Sequence, residues 1–287
     1  MERPEVRVPP AQYLAPELVM GEMAEFGHHR IVACTVPQIL VLGILGGAFI
    51  TTGALFSVLL GVGASSPGVA RLLEGLGFSA GFFFVILSHA VLFTEANVVV
   101  PATLLGHKAP GLLWRLARFW ALAWIANLAG AIIIGWIVHL AQHYPANVTD
   151  LLSEIVARKM QWRESGGLGA WGQLVLSGML ANWLVGMAAF FSMMGRSIIG
   201  KYIPIFLAVS LFVAANFQHS PANMGYFSLI MPTGGGPGWV SALLWNVIPV
   251  GLGNMIGGTL LVVLPLRFAL SGRQLEGAKR RAHGAAE

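Results

Sequence analysis

Charge and polarity thin out abruptly after about residue 30, and the chain then runs as six long apolar stretches near residues 31 to 61, 77 to 105, 112 to 141, 170 to 195, 202 to 231 and 241 to 270. Each is long enough to cross roughly 30 Å of hydrocarbon as a helix. The first 30 residues are polar and lack an Ala-x-Ala pattern behind a short hydrophobic core, so a retained N-terminus is expected. Within it Tyr13, Leu14, Leu18, Val19 and Met23 recur at helical spacing opposite Glu17, Glu22 and Glu25, which predicts an amphipathic helix at the membrane interface. The pattern describes one polytopic all-α membrane domain: an N-terminal arm over 1–30, two halves over 31–145 and 146–272, and a tail over 273–287.

Composition agrees. Only 10% of residues are charged, where soluble domains average about 25%, while 56% are hydrophobic and the mean hydropathy is +0.74. The net charge of +5 is no nucleic-acid footprint, because the basic residues sit at span ends. Arg3, Arg7, Arg30, Lys108, Arg115, Arg118, Arg196, Lys201, Arg267, Arg273, Lys279, Arg280 and Arg281 fall on one side of the six-span topology. Arg71, Arg158, Lys159 and Arg163 fall on the other. That asymmetry predicts cytoplasmic termini and a cell (inner) membrane location. A single cysteine, Cys34, excludes an intramolecular disulfide and a Cys-rich metal site.

A faint internal repeat runs through the spans. Asn127-Leu-Ala-Gly-Ala matches Asn254-Met-Ile-Gly-Gly at an offset of 127, and Thr94-Glu-Ala-Asn97 matches Ser220-Pro-Ala-Asn223 at 126. Two copies of three spans each must enter the membrane from opposite sides, giving a 3+3 inverted repeat. Pro101 and Pro221, with Asn97 and Asn223 beside them, predict that spans two and five are broken near their middles.

Ionisable groups inside the spans are few, and their cost makes each a functional candidate. Glu95, His89 and His219 lie deepest. Half-helix N-termini offer N–H groups and a positive dipole end to an anion. A carboxylate, however, costs of order 20 kcal/mol to bring into a hydrocarbon-like medium by the Born estimate, and a dipole worth up to ~2 kcal/mol does not offset that. Protonation does, and histidine is the side chain suited to supply it near neutral pH. Phenylalanines in spans two and five would form hydrophobic constrictions if they face a pore. No Walker loop, nucleophile elbow or His-Glu-x-x-His motif is present, and neither cofactor nor metal is expected.

Gly195-Arg-Ser197 with Lys201, Phe212-Val-Ala-Ala-Asn-Phe-Gln-His-Ser-Pro-Ala-Asn-Met224, and Ile248-Pro-Val-Gly-Leu-Gly-Asn-Met-Ile-Gly-Gly258 carry a resemblance that extends from about Pro16 to Arg273. The chain resembles the formate/nitrite transporter family. The resemblance implies an aquaporin-like protomer in a homopentamer, each protomer with its own pore for a small monovalent weak-acid anion. Formate ranks first, with nitrite, acetate or hydrosulfide behind. Leu92-Phe-Thr94 is similar to the family's loop that interrupts the second span, and Asn182-Trp-Leu-Val185 to its fourth-span signature.

By the same resemblance His219 is the central pore histidine and Thr94 its hydrogen-bonding partner; Thr94, Asn223 and backbone N–H groups are expected to orient the anion. Phe78, Phe82 and Leu92 line one constriction, Val185 and Phe212 the other. Gln218 stands where the family has glutamate. The family's vestibule lysine aligns with Gly166, which leaves Lys159, seven residues away, and Glu164, two away, as candidates. Glu95 and His89 occupy positions of small or uncharged residues. Two rivals stay open: a neutral-solute pore like the aquaglyceroporins, and an intramembrane serine hydrolase using Ser88 or Ser220 with a histidine.

Overall fold

The computed structural model describes residues 13–107 and 110–270. The expectations for the first twelve residues, Lys108 and the tail over 273–287 lie outside them. Everything described is helical apart from short connections and one isolated bridge between Tyr13 and Gly195.

Helix α1 (Pro16–Val32) precedes the apolar bundle, and α2 (Val36–Gly61) is its first long member. The second apolar stretch divides into α3 (Pro67–Ser88) and α4 (Phe93–Gly106). After α5 (Leu112–Ala141) comes α6 (Ala146–Met160), short and amphipathic, and then α7 (Gly167–Met194). The fifth apolar stretch also divides, into α8 (Ile198–Ala214) and α9 (Ser220–Ile230). Helix α10 (Trp239–Leu270) closes the fold, with π-helical turns at Leu243–Val247 and Gly257–Val263. Five helices, α2, α3, α5, α7 and α10, are long and apolar enough to cross a membrane, and α8 is a shorter apolar helix. Exposed Leu, Ile, Trp and Phe side chains cover their outer faces, as a lipid solvent requires.

The divisions fall where expected, but proline does not cause them. Pro101 lies inside an uninterrupted α4, and Pro221 sits in the first turn of α9, where its missing N–H costs nothing. The chain turns instead at His89 and Asn216, whose φ values of 55° and 54° are left-handed.

Two asparagines hold these interruptions. Asn127 on α5 accepts from the Phe93 N–H at 2.8 Å and donates to the carbonyls of Gly43 and Val91. Asn254 on α10 accepts from the Ser220 N–H at 2.9 Å and donates to those of Gly178 and Gln218. Each amide thereby supplies the hydrogen bonds that non-helical backbone otherwise lacks in lipid. The correspondence Phe93 to Ser220, Val91 to Gln218 and Asn127 to Asn254 has an offset of 127 throughout. In that register Asn97 stands opposite Met224, so the likeness of Thr94–Asn97 to Ser220–Asn223 is one residue out of step. Gly46 completes the first clamp, because a Cβ there would strike the Val91 carbonyl and crowd the Asn127 amide.

The N-terminal helix packs on α4. Leu14, Val19 and Met23 of the predicted apolar set are buried, with Met20, Gly27 and Arg30 beside them, and Glu22 and Glu25 are exposed; Tyr13 and Leu18 of the predicted set are exposed instead. Helix α1 leads into the N-terminal end of α2, and Leu151 of α6 lies beside Gly61 at the other end of α2, so one end of the bundle carries α1 and the other α6.

Candidate functional site

Helices α4 and α9 begin where two interruptions meet. His219 is the N-cap of α9: its Nδ1 accepts from the Ala222 N–H at 3.2 Å. A backbone N–H can only donate, so the neutral ring keeps its own proton on Nε2. That nitrogen lies 2.8 Å from Oγ1 of Thr94, in the first turn of α4. The imidazole N–H donates to the hydroxyl oxygen, which leaves the Thr94 O–H free to donate elsewhere. Both residues are fully buried or nearly so, at 1% and 0% exposure. The positive dipole ends of two helices, 14 and 11 residues long, thus converge on one hydroxyl–imidazole pair.

Aromatic rings close over the pair. The Phe212 ring lies 5.3 Å from that of His219, and Phe78 meets Phe212 edge-on at 5.7 Å and Tyr226 face-on at 6.0 Å. Phe78, expected beside Phe82 and Leu92, also touches Phe212 and Tyr226. Phe82, Leu92 and Val185 are buried in the same apolar cluster.

Beyond these rings, toward the α6 end, polar groups replace apolar ones. The Gln218 Oε1 accepts from the side-chain amides of Asn223 at 3.0 Å and Asn246 at 3.2 Å, while its Nε2 donates to the Asn216 carbonyl. Asn223 also donates to Asn246 Oδ1, and Asn246 donates to the Lys159 carbonyl at 2.7 Å. Lys159 is 94% shielded, being 6% exposed, with its Nζ 5.9 Å from the Tyr226 ring centre. The Tyr226 hydroxyl donates to Ser57. Burial pushes the Lys159 ammonium down to about 7; the positive charge of Arg158 adds to this and the Glu74 carboxylate opposes it. Arg158 itself pairs with Glu74 at 3.3 Å and Glu154 at 2.8 Å. Glu164 is exposed on the outer loop, so of the two candidates only Lys159 joins this network.

Asn182 stands apart from the histidine cluster. Its amide donates to the Asn254 carbonyl and ties α7 to α10. The contact is close because Gly258 has no Cβ to strike Asn182 and the Asn97 carbonyl. Several buried polar atoms remain without a partner among the described residues: Asn182 Oδ1, Asn223 Oδ1, Ser220 Oγ and both amide atoms of Asn97. Sequence reasoning missed Asn246, Tyr226 and Arg30. A lone amide in Leu-Leu-Trp-Asn-Val was the available signal for Asn246.

On the α1 end, His89 and Glu95 line a separate chamber. Neither serine nominated for hydrolysis pairs with a histidine. Ser88 Oγ donates to the Phe84 carbonyl, and the His219 ring nitrogens are both engaged by other groups. No group of three or more His, Cys, Asp or Glu residues among the described ones could hold a metal ion.

The formate/nitrite transporter family model matches residues 18–268. The chain belongs to that family. Formate/nitrite transporters are transporters and channels rather than enzymes, and this member is a multi-pass membrane protein. It is 31% identical to the formate channel FocA of Escherichia coli K12 over 78% of this chain and 83% of that protein. It is 29% identical to a probable formate transporter of Methanothermobacter thermautotrophicus, covering 78% and 86% of the two chains. Among solved structures, a pentameric formate channel with formate bound superposes with a TM-score of 0.66 at 26% identity, over 79% of this chain and 94% of that one. A channel described as an FNT family ion channel superposes at 0.72 with 21% identity, over 88% and 98%, and agrees in fold.

Proposed function

We propose that the chain passes a small monovalent weak-acid anion, formate before nitrite, acetate or hydrosulfide, across the membrane as its neutral acid. The observation that carries this is the His219–Thr94 pair, a donor set buried between two helix N-termini and roofed by phenyl rings. The anion enters from the α6 end, where Lys159 and the amides of Asn223 and Asn246 receive it. Its negative charge cannot follow into the apolar zone: the dipoles and the Thr94 O–H orient the anion but do not offset its desolvation. It crosses protonated.

His219 is the hydrogen-bond donor at the centre of the path. Since Ala222 occupies Nδ1, a proton reaches the site only through the pore, on the Nε2 side or on the substrate itself. The helices form six crossings in two inverted halves, a reading supported by the matching Asn127 and Asn254 clamps. Five copies assemble, each with its own pore, in the cell (inner) membrane with both termini in the cytoplasm. The solved pentameric relative and the Lys/Arg distribution support that arrangement.

The test is uptake by liposomes containing the full chain, using formate, nitrite, acetate and hydrosulfide at two pH values. His219→Phe is expected to abolish proton-linked formate flux while the oligomer persists in detergent. His219→Asn, which retains an N-cap acceptor and an N–H donor, is expected to keep part of the flux. Undiminished flux in His219→Phe would remove the histidine from the mechanism. Glycerol flux without pH dependence would favour the neutral-solute pore.

A further inference from the structure

The α1 end holds a cavity of about 590 Å³ whose lining includes Glu22, Glu25, His89, Glu95 and Lys201. It continues the line of the constrictions. Phe78, Phe82 and Val85 succeed one another along one face of α3, which His89 caps, and Val185, Ala189 and Ser192 along one face of α7; Val85, His89, Ala189 and Ser192 line the cavity. Glu95, the residue after Thr94, is 6% exposed and also lines it. No hydrogen bond or ion pair engages its carboxyl among the described residues, although the Arg30 charge acts on it from nearby and one Arg30 guanidinium nitrogen, Nη1, has no hydrogen-bond partner there. Arg30 donates to the His89 carbonyl at 2.7 Å and lies over the Phe26 ring, Lys201 donates to the Ser192 carbonyl, and Glu25 pairs with His107.

We propose that Glu95 is the proton-exchange group of this chamber, giving a proton to the anion that arrives there and taking one from the acid that leaves Thr94. The inference rests on the weak-acid pathway above. In the outward step the Glu95 carboxyl O–H bond breaks as an O–H bond forms on the substrate carboxylate, and a hydronium ion from the solution that fills the chamber reprotonates Glu95. In the inward step the acid gives its proton to the Glu95 carboxylate, the anion leaves toward Arg30 and Lys201, and Glu95 then releases the proton to chamber water, which carries it to bulk as hydronium. An ionised Glu95 repels a bare anion about 100-fold at about 6 Å and an effective dielectric of about 20, so an unprotonated ion does not slip past it. The other titratable or charged groups that face Glu95 across the chamber are Glu22, Glu25 and Arg30 from α1, His89 from the interruption and Lys201 from α8; α7 contributes none.

The experiment reconstitutes the full chain in liposomes, and measures labelled formate uptake together with lumenal pH and the response to an imposed membrane potential. The wild-type chain is expected to carry one proton per formate and to ignore the potential. Glu95→Gln, which cannot exchange a proton, is expected to lower formate flux at least tenfold and to remove its dependence on the pH of the α1 side, with Glu95→Asp restoring both. If Glu95→Gln fails to fold, the wild-type chain treated with dicyclohexylcarbodiimide serves, with the same loss of flux and a mass increment on Glu95 expected. Wild-type flux and pH dependence in Glu95→Gln, or in the carbodiimide-labelled protein, would overturn this proposal alone. Absence of flux for every weak acid in the wild-type chain would overturn the pathway reading as well.

Discussion

Lys159 offers the sharpest test of how the α6 end attracts an anion. Its ammonium titrates at about 7 because burial penalises the charge, so the sign of the effect is fixed. Below pH 7 the vestibule carries a positive charge, and above it the charge is lost. A unit charge about 8 Å from an anion at an effective dielectric of about 20 contributes ~2 kcal/mol, or about 30-fold in occupancy. Lys159→Met removes the charge while leaving the Asn246 hydrogen bond, which goes to the main-chain carbonyl. Formate uptake into liposomes at subsaturating concentration, measured from pH 5.5 to 8.5, is the assay. The supply of neutral acid also grows as pH falls, but equally for both proteins, so the wild-type to variant ratio isolates the lysine. That ratio is expected to be about 30 at pH 5.5 and within about twofold of unity at pH 8.5. Lys159→Arg, charged throughout, is expected to stay high across the range. A ratio that does not change with pH would refute a titrating lysine, and a ratio of one at every pH would refute any electrostatic part for it.

Thr94→Val strands the His219 N–H, a loss of about 1–3 kcal/mol for a buried donor, so formate flux is expected to fall roughly 5- to 150-fold in the same liposomes while Thr94→Ser stays near wild type. Asn254→Leu leaves two carbonyls and one N–H unpaired, at about 1–3 kcal/mol each; thermal unfolding in detergent should show a far greater loss than Asn182→Leu, which breaks one bond. Phe212→Ala opens the ring contact with Phe78 beside His219, so ion leak through planar bilayers is expected to rise even if unfolding measurements show the ~3–5 kcal/mol typical of such truncations.

The spans and their interruptions were legible because lipid leaves the chain little choice: a run of apolar residues must be helical, and a break within one must find partners. The cause of the breaks was not legible. Proline residues announce a lost hydrogen bond, but whether a helix tolerates that loss depends on neighbours brought together only by folding, and Pro101 is tolerated. His219 was a candidate from its depth within a span and Thr94 from a resemblance, and the structure brings them to 2.8 Å. The vestibule lysine was ambiguous because alignment counts residues along the chain. Its position is set instead by α6, whose packing on α9 carries Lys159 inward while Glu164, past the end of that helix, faces outward. The two halves likewise matched at offsets of 126 and 127 by residue type, and only the hydrogen bonds select 127.

The two ends of the proposed path are chemically unlike, and that difference has a consequence for direction. On the proposed pathway a lysine near its titration point and neutral amides would receive the anion at the α6 end, so substrate there would be concentrated by charge before it is protonated. At the α1 end the Glu95 carboxyl, which makes no hydrogen bond among the described residues, would meet the substrate one residue from Thr94, and there the proton would be supplied, or taken, by a fixed group. The Nδ1 of His219 is closed by the Ala222 N–H, so no proton passes through the ring to link the two ends. Protonation must therefore be accomplished separately on each side. Flux in the two directions is then expected to respond to different pH values: entry from the α6 end should follow the charge of Lys159, and entry from the α1 end the protonation of Glu95. Counterflow of labelled formate with pH varied on one side at a time, in liposomes sorted for insertion direction, separates the two. Identical pH profiles from both sides would mean that a single group governs protonation, and that the asymmetry of the lining has no part in transport.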